Sequence, residues 1–320
     1  MLIFLHILSN NILPVFLTIL AGYIVGKNFD LNVSTLSKLT FYILAPSFVF
    51  YNLYETELSY EMIKILGFAL VYMLANDILG RIISKIRKHD IGMQNAFKNA
   101  IMFNNSGNIG VSLITLVFGC APYIIGGTTP YLNHALTIQI IIMVFMNVSM
   151  NTIGLYNAGR AKMSFKNTMR KIMTLPVIYV LPIVLFLNYM NVDITGIPLW
   201  PAIVIAKSGL VPIALITLGV QLSKTKINVK DVDIHLAVFT RLIIGPLLAI
   251  LGLHLFGFTG VAAQTLLISY SVPTAVTIAL VAAEYDNNQS FTSQEVMMST
   301  ILSAVTLTLF IYLAAILFPI

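Results

Sequence analysis

Ten consecutive residues, Phe103-Asn104-Asn105-Ser106-Gly107-Asn108-Ile109-Gly110-Val111-Ser112, carry three amides, two hydroxyls and two glycines within an otherwise apolar stretch. Small and amide residues commonly pack one membrane helix against another. Such packing residues recur every three or four positions, whereas these are consecutive and point around the whole helix. Glycine weakens a helix, and Asn and Ser side chains compete for its backbone groups, so this spacing predicts a break. Opened backbone is tolerated at membrane depth only against protein or a water-filled cavity. A second stretch, Ser269-Tyr270-Ser271-Val272-Pro273-Thr274-Ala275-Val276-Thr277, places Pro273 in mid-span, where the ring removes a donor and frees carbonyls. Alone it reads as a simple proline kink. Two interrupted helices in corresponding places, however, are the strongest sequence pointer to a carrier's binding site. Half-helix N-termini present unpaired N–H groups and partial positive charge, which suits a carboxylate or another anion. The candidate substrate residues are therefore Asn104, Asn105, Ser106, Gly107, Asn108, Pro273, Thr274 and Thr277.

Ionisable residues within apolar runs are few, chiefly Asp77, Arg81, Lys207 and Arg241. Asp77 and Arg81 stand four apart, share a helix face and can pair. A buried member of such a pair is tolerable only with its partner, although Arg81 also lies close enough to a basic helix end to snorkel. Lys207 and Arg241 read as within reach of the outer and inner surfaces, and neither is assigned a role. His6, His89, His134, His235 and His254 are scattered, Cys120 is the lone cysteine, and no phosphate loop or nucleophile elbow occurs. An enzyme, a metal centre and a bound cofactor are therefore not expected, and energy for transport must come from gradients.

The elements that must hold these residues follow from composition. Of 320 residues 58% are hydrophobic and 9% charged, against about 25% charged in a soluble domain. Mean hydropathy is +0.92. Apolar runs predict spans over residues 5–26, 33–53, 60–84, 97–119, 132–156, 173–190, 200–222, 234–256, 261–283 and 296–318. The fold class expected is thus an all-α integral membrane protein of ten helices. The net charge of +6 is a matter of topology rather than nucleic-acid binding, because fourteen of the eighteen basic residues sit in alternate connections. These are Lys27; Arg81, Lys85, Arg87, Lys88 and Lys98; Arg160, Lys162, Lys166, Arg170 and Lys171; and Lys224, Lys226 and Lys230. The positive-inside rule then puts both termini outside. Glu284, Asp286 and Glu295 are assigned to an inner connection, and Trp200 reads as an interfacial anchor. Met1 to Asn10 lacks the basic start of a signal peptide, so the first run is expected to be a retained helix.

Pro46 and Pro212 lie 166 residues apart, as do Gly107 and Pro273, while Pro14 and Pro182 differ by 168. Two five-helix repeats of inverted orientation are expected from these offsets, over residues 1–158 and 173–320, with broken helices 4 and 9.

The chain resembles the auxin efflux carrier family, whose microbial members are mostly small organic-acid transporters. The likeness rests on Asn105-Ser-Gly-Asn108-Ile-Gly110, Pro212-Ile-Ala-Leu215-Ile-Thr-Leu-Gly219, Val272-Pro273-Thr-Ala-Val276, Ala283-Glu284-Tyr285 and Val296-Met297-Met-Ser299-Thr300-Ile-Leu-Ser303, in that order. It implies a scaffold from helices 1, 2, 6 and 7, a transport part from helices 3–5 and 8–10, and helices 4 and 9 crossing at the substrate. Plant auxin carriers have a proline at the first crossover, where this chain has Asn104. They also carry an acidic and a basic residue four apart in the third helix, matching Asp77 and Arg81, which implies a polar support pair beside the site. The function expected is alternating-access transport of a small organic anion such as malate in the plasma membrane. A sodium-coupled symporter of the bile-acid type is the alternative, and a membrane ligand sensor is the alternative of another class. Expected partners are the bilayer, the anion, a coupled proton or sodium ion, and a second copy in a homodimer; nucleic acid is not among them.

Overall fold

The computed structural model describes residues 2–55, 61–159, 173–174, 176–225 and 231–320. Arg160, Lys162, Lys166, Arg170, Lys171, Lys226 and Lys230, used above for topology, lie outside the described residues. The described residues are helical, joined by turns and two isolated β-bridges. Among the described residues, seven helices are long and apolar enough to cross a membrane. We label them α1 (Leu5–Asn28), α2 (Val33–Tyr54), α3 (Glu61–Ile86), α6 (Leu132–Ala158), α8 (Leu199–Ser223), α9 (Val232–Leu255) and α12 (Gln289–Leu317). Between them stand the shorter α4 (Ile91–Met102), α5 (Ser106–Phe118), α7 (Pro176–Tyr189), α10 (Gly260–Ser271) and α11 (Val276–Glu284).

Helix α1 packs along α8, and α2 packs on α7 and α8. The α1/α8 seam is a close backbone approach made possible by Gly22 and Gly26 on one side and Gly219 on the other. A Cβ at Gly219 would strike the Ile19 carbonyl oxygen and come within 2.6 Å of the Tyr23 nitrogen. Helix association in lipid rests on this kind of van der Waals fit, because burial of apolar surface gains little there. The other helices form a second packed group, with α3 on α4 and α6, α10 on α6, α9 and α12, and α11 on α12.

Prolines shape several of these helices. Pro14, Pro46 and Pro246 each follow, by two residues, a five-residue π turn: Leu8–Ile12, Thr40–Leu44 and Thr240–Ile244. The proline ring clashes with the carbonyl one turn back, and a widened turn relieves the clash while keeping the helix continuous. Pro273 lies instead between two separate helices.

The two interrupted segments match each other closely. Helix α4 and helix α10 are both 12 residues long, and their ends, Met102 and Ser271, are separated by 271 − 102 = 169 positions. The offset of 166 is therefore displaced by three at this point. Pro273 stands opposite Asn104, not Gly107, because the comparison of prolines and glycines alone had no helix ends to anchor it.

Candidate functional site

Both breaks lie in extended backbone. Phe103 and Val272, the residues that end α4 and α10, have φ/ψ of −103/112° and −67/154°. Freed backbone groups must find partners, and here each break supplies the other's. The Asn105 N–H donates to the Pro273 carbonyl (2.8 Å), the Ala275 N–H donates to the Phe103 carbonyl (2.9 Å), and Asn104 and Thr274 form an antiparallel bridge. The Asn104 side-chain amide adds a bond to the Ser269 carbonyl at 2.9 Å. Past the first break, the chain enters α5 through a π turn, Ser106–Gly110, with the Asn105 side chain accepting from the Asn108 N–H. Gln139 of α6 holds this turn by donating to the Ser106 carbonyl at 2.7 Å.

A cavity of about 250 Å³ opens on one side of the crossing, lined by Asn104 through Asn108, Ala275 and Thr277. Two further π turns contribute Thr40 of α2 and Asn151 of α6, and Phe103 and Met143 add apolar wall. The lining side chains are uncharged. The first turns of α5 and α11 both face this space, bringing two helix N-termini together. Asn105 is 5% exposed, and its Nδ2 has no hydrogen-bond partner. A buried donor left open in this way favours an acceptor-bearing ligand. Of the eight candidate substrate residues, six line the cavity; Pro273 and Thr274 hold the crossing from behind.

Arg241 does not reach the inner surface: it is 1% exposed, in the π turn of α9. Its guanidinium donates four hydrogen bonds to three carbonyls: Val272 at 3.0 and 2.9 Å, Tyr270 at 3.0 Å and Ile101 at 3.1 Å. These carbonyls close α4 and α10, so one cation offsets the negative ends of both first half-helices. Glu295 is likewise not in a connection but inside α12, 0% exposed, with Thr274 at 2.8 Å.

The family model described as a membrane transport protein matches residues 163–311, which takes in the second break but not the first. An uncharacterized transporter of Methanothermobacter thermautotrophicus is 25% identical over 310 residues, covering 94% of this chain and 96% of that one. This match spans both breaks. Both matches are to membrane transport proteins, and the chain is a membrane transporter. It is a multi-pass membrane protein and not an enzyme, and neither match is to a bile-acid symporter or a ligand sensor.

In the transporter, Asp77 and Arg81 do pair, at 2.6 Å, but Arg81 is 63% exposed. The more buried partner is Lys98, whose Nζ lies 2.9 Å from Asp77 with the side chain 6% exposed. Lys98 therefore does not belong to a loop; it ties α3 to α4, the half-helix leading into the first break. The pair lies off the cavity wall. Lys207 sits over the Tyr51 ring, 2.9 Å from its centroid, and Trp200 stacks on the same ring at 5.2 Å. Arg241, Glu295, Lys98 and Gln139 were not found as site residues from sequence. The signal available was distance: each stands several residues inside a helix rather than at its end.

Proposed function

We propose that the protein is a secondary carrier of a small organic anion, such as malate, with its site where the two broken helices cross. The observation that carries this reading is the cavity itself. It is walled by two helix N-termini and the open amide of Asn105, while the compensating cation, Arg241, sits behind at the opposite helix ends. A cavity of about 250 Å³ is below the roughly 300–1,000 Å³ of sites for larger ligands, which favours an acid of a few carbons.

In this proposal ten membrane helices form two inverted repeats, 1–158 and 173–320, with α4–α5 and α10–α11 as the two broken spans. The group α1, α2, α7 and α8 is the scaffold, and the remaining helices move against it. Both termini face outward, and the carrier works in the plasma membrane. The anion is held by Asn104, Asn105, Ser106, Gly107, Asn108 and Thr277, with Pro273 and Thr274 fixing the crossing. Asp77, Lys98 and Arg81 support α4. An inside-negative potential of 100 mV is worth about 2.3 kcal/mol per charge, so export of an anion runs downhill while uptake against it needs a coupled ion.

Purified protein in liposomes should exchange internal malate for labelled malate, malonate or succinate, and Asn105→Ala should weaken this. Failure of the wild-type protein to exchange any small carboxylate would overturn the reading.

A further inference from the structure

Glu295 is a fully buried carboxyl at the rear of the crossing. Its Oε1 lies 2.8 Å from the Thr274 hydroxyl, which itself lies 2.8 Å from the Ala100 carbonyl oxygen. A threonine hydroxyl has one hydrogen to give. Were Glu295 ionised, Thr274 would serve one of these acceptors and press a lone pair against the other. A protonated Glu295 resolves the contact: the acid donates to Thr274, and Thr274 donates to Ala100. The second carboxyl oxygen, Oε2, receives no hydrogen bond, the neighbouring Ser299 hydroxyl donating instead to the Val296 carbonyl at 3.1 Å, which is tolerable for a neutral acid and costly for a carboxylate.

Most charged groups on the elements packed around α12 are paired elsewhere. Arg241 of α9 donates to three carbonyls and keeps its positive charge, which acts on Glu295 from beyond ion-pair distance. Lys98 of α4 is bonded to Asp77, and Asp233 of α9 to Arg87 and His89. Tyr270 of α10 is packed on Tyr72, with ring centroids 4.2 Å apart. Among the described residues no basic nitrogen lies within 4.0 Å of Glu295.

We propose that Glu295 is the proton-binding site of a proton-coupled anion carrier, loaded and unloaded together with the anion across the Asn104–Thr274 bridge. This rests on the anion reading above. An anion in the cavity and an ionised Glu295 would flank the same short stretch of paired backbone in a region of low dielectric. Their repulsion is removed when Glu295 takes a proton from water on the open side, so anion binding favours protonation and, reciprocally, protonation tightens the anion. Opening to the other side reverses both. The step is proton binding and release alone, with no covalent change. Ionisation would also turn the Thr274 hydroxyl to the carboxylate and leave the Ala100 carbonyl unserved, which connects the proton to the geometry of the break.

Two measurements test this. Infrared difference spectra of the wild-type protein at neutral pH should contain a protonated-carboxyl band that disappears in Glu295→Gln. In liposomes, an inward proton gradient should raise wild-type malate uptake about tenfold, within the usual range of coupling between two sites, and the ratio with and without gradient should fall to near one in Glu295→Gln. Absence of the band overturns the proposal, whatever the substrate. A ratio in Glu295→Gln equal to that of the wild type overturns it as well, leaving the crossing site standing, as does stimulation by a sodium gradient alone. A wild type that carries the band but moves no small carboxylate overturns the anion reading, and with it the coupling.

Discussion

The two breaks solve one backbone problem with different chemistry. Each ends a 12-residue half-helix in extended residues, and each hands its freed N–H to the other's carbonyl. The first uses Asn, Ser and Gly, opens into a π turn, and turns six consecutive residues, Phe103 to Asn108, toward the cavity. The second uses proline, gives the cavity only Ala275 and Thr277, and directs Thr274 back toward Ala100 and Glu295. In the proposed carrier one break meets the ligand and the other fixes the crossing. Backbone pairing and ligand chemistry are thus separable duties, assigned here to opposite members of a matched pair.

Substitutions can break or sharpen this contrast. Arg241→Met should do most damage, because it strips the shared cation from both breaks and leaves three buried carbonyls short of donors. The expected loss is on the order of 3–5 kcal/mol, read as a sharp fall in the monodisperse fraction and melting temperature of detergent-purified protein. Asn105→Ala should leave the fold intact but lower malate affinity about tenfold or more, close to the value of one hydrogen bond to a charged group. Thr274→Val should do the reverse, costing about 1 kcal/mol of stability with the affinity of malate little changed. Equal affinity losses from Asn105→Ala and Thr274→Val would erase the distinction. Pro273→Ala should have the smallest effect, well under the roughly 3 kcal/mol of an interior helical proline, because the ladder to Phe103 and Asn105 already holds the break.

Much of this arrangement was legible in the residues. Consecutive small and polar positions from Asn104 to Asn108, with Pro273 in the corresponding span, marked the breaks, because together they leave backbone groups that a lipid-facing helix cannot satisfy. Two of the missed groups, Lys98 and Glu295, share a physical cause. Helix α4 begins at Ile91, not near residue 97, since Gln94, Asn95, Lys98 and Asn99 precede its apolar end and depress its hydropathy. Lys98 and Asn99 are buried against protein, so a measure of preference for lipid placed Lys98 in a loop. Likewise α12 starts at Gln289 and encloses Glu295. Arg241 looked interfacial because it is the tenth residue of the 24 in α9; only tertiary structure brings three carbonyls to it. The repeat offset slipped by three for a related reason, since proline spacing reports kinks and not the ends of half-helices.

In the proposed carrier the first break, with its open Asn105 amide and the first turns of α5 and α11, holds the carboxylate. An electron cryomicroscopy structure of the protein in lipid nanodiscs with malate tests it most directly. The account predicts ligand density within hydrogen-bonding distance of Asn105 Nδ2 and the Ser106 to Asn108 turn, with Arg241 still bonded to the carbonyls behind. Density for malate elsewhere, with that cavity occupied only by water, would contradict it.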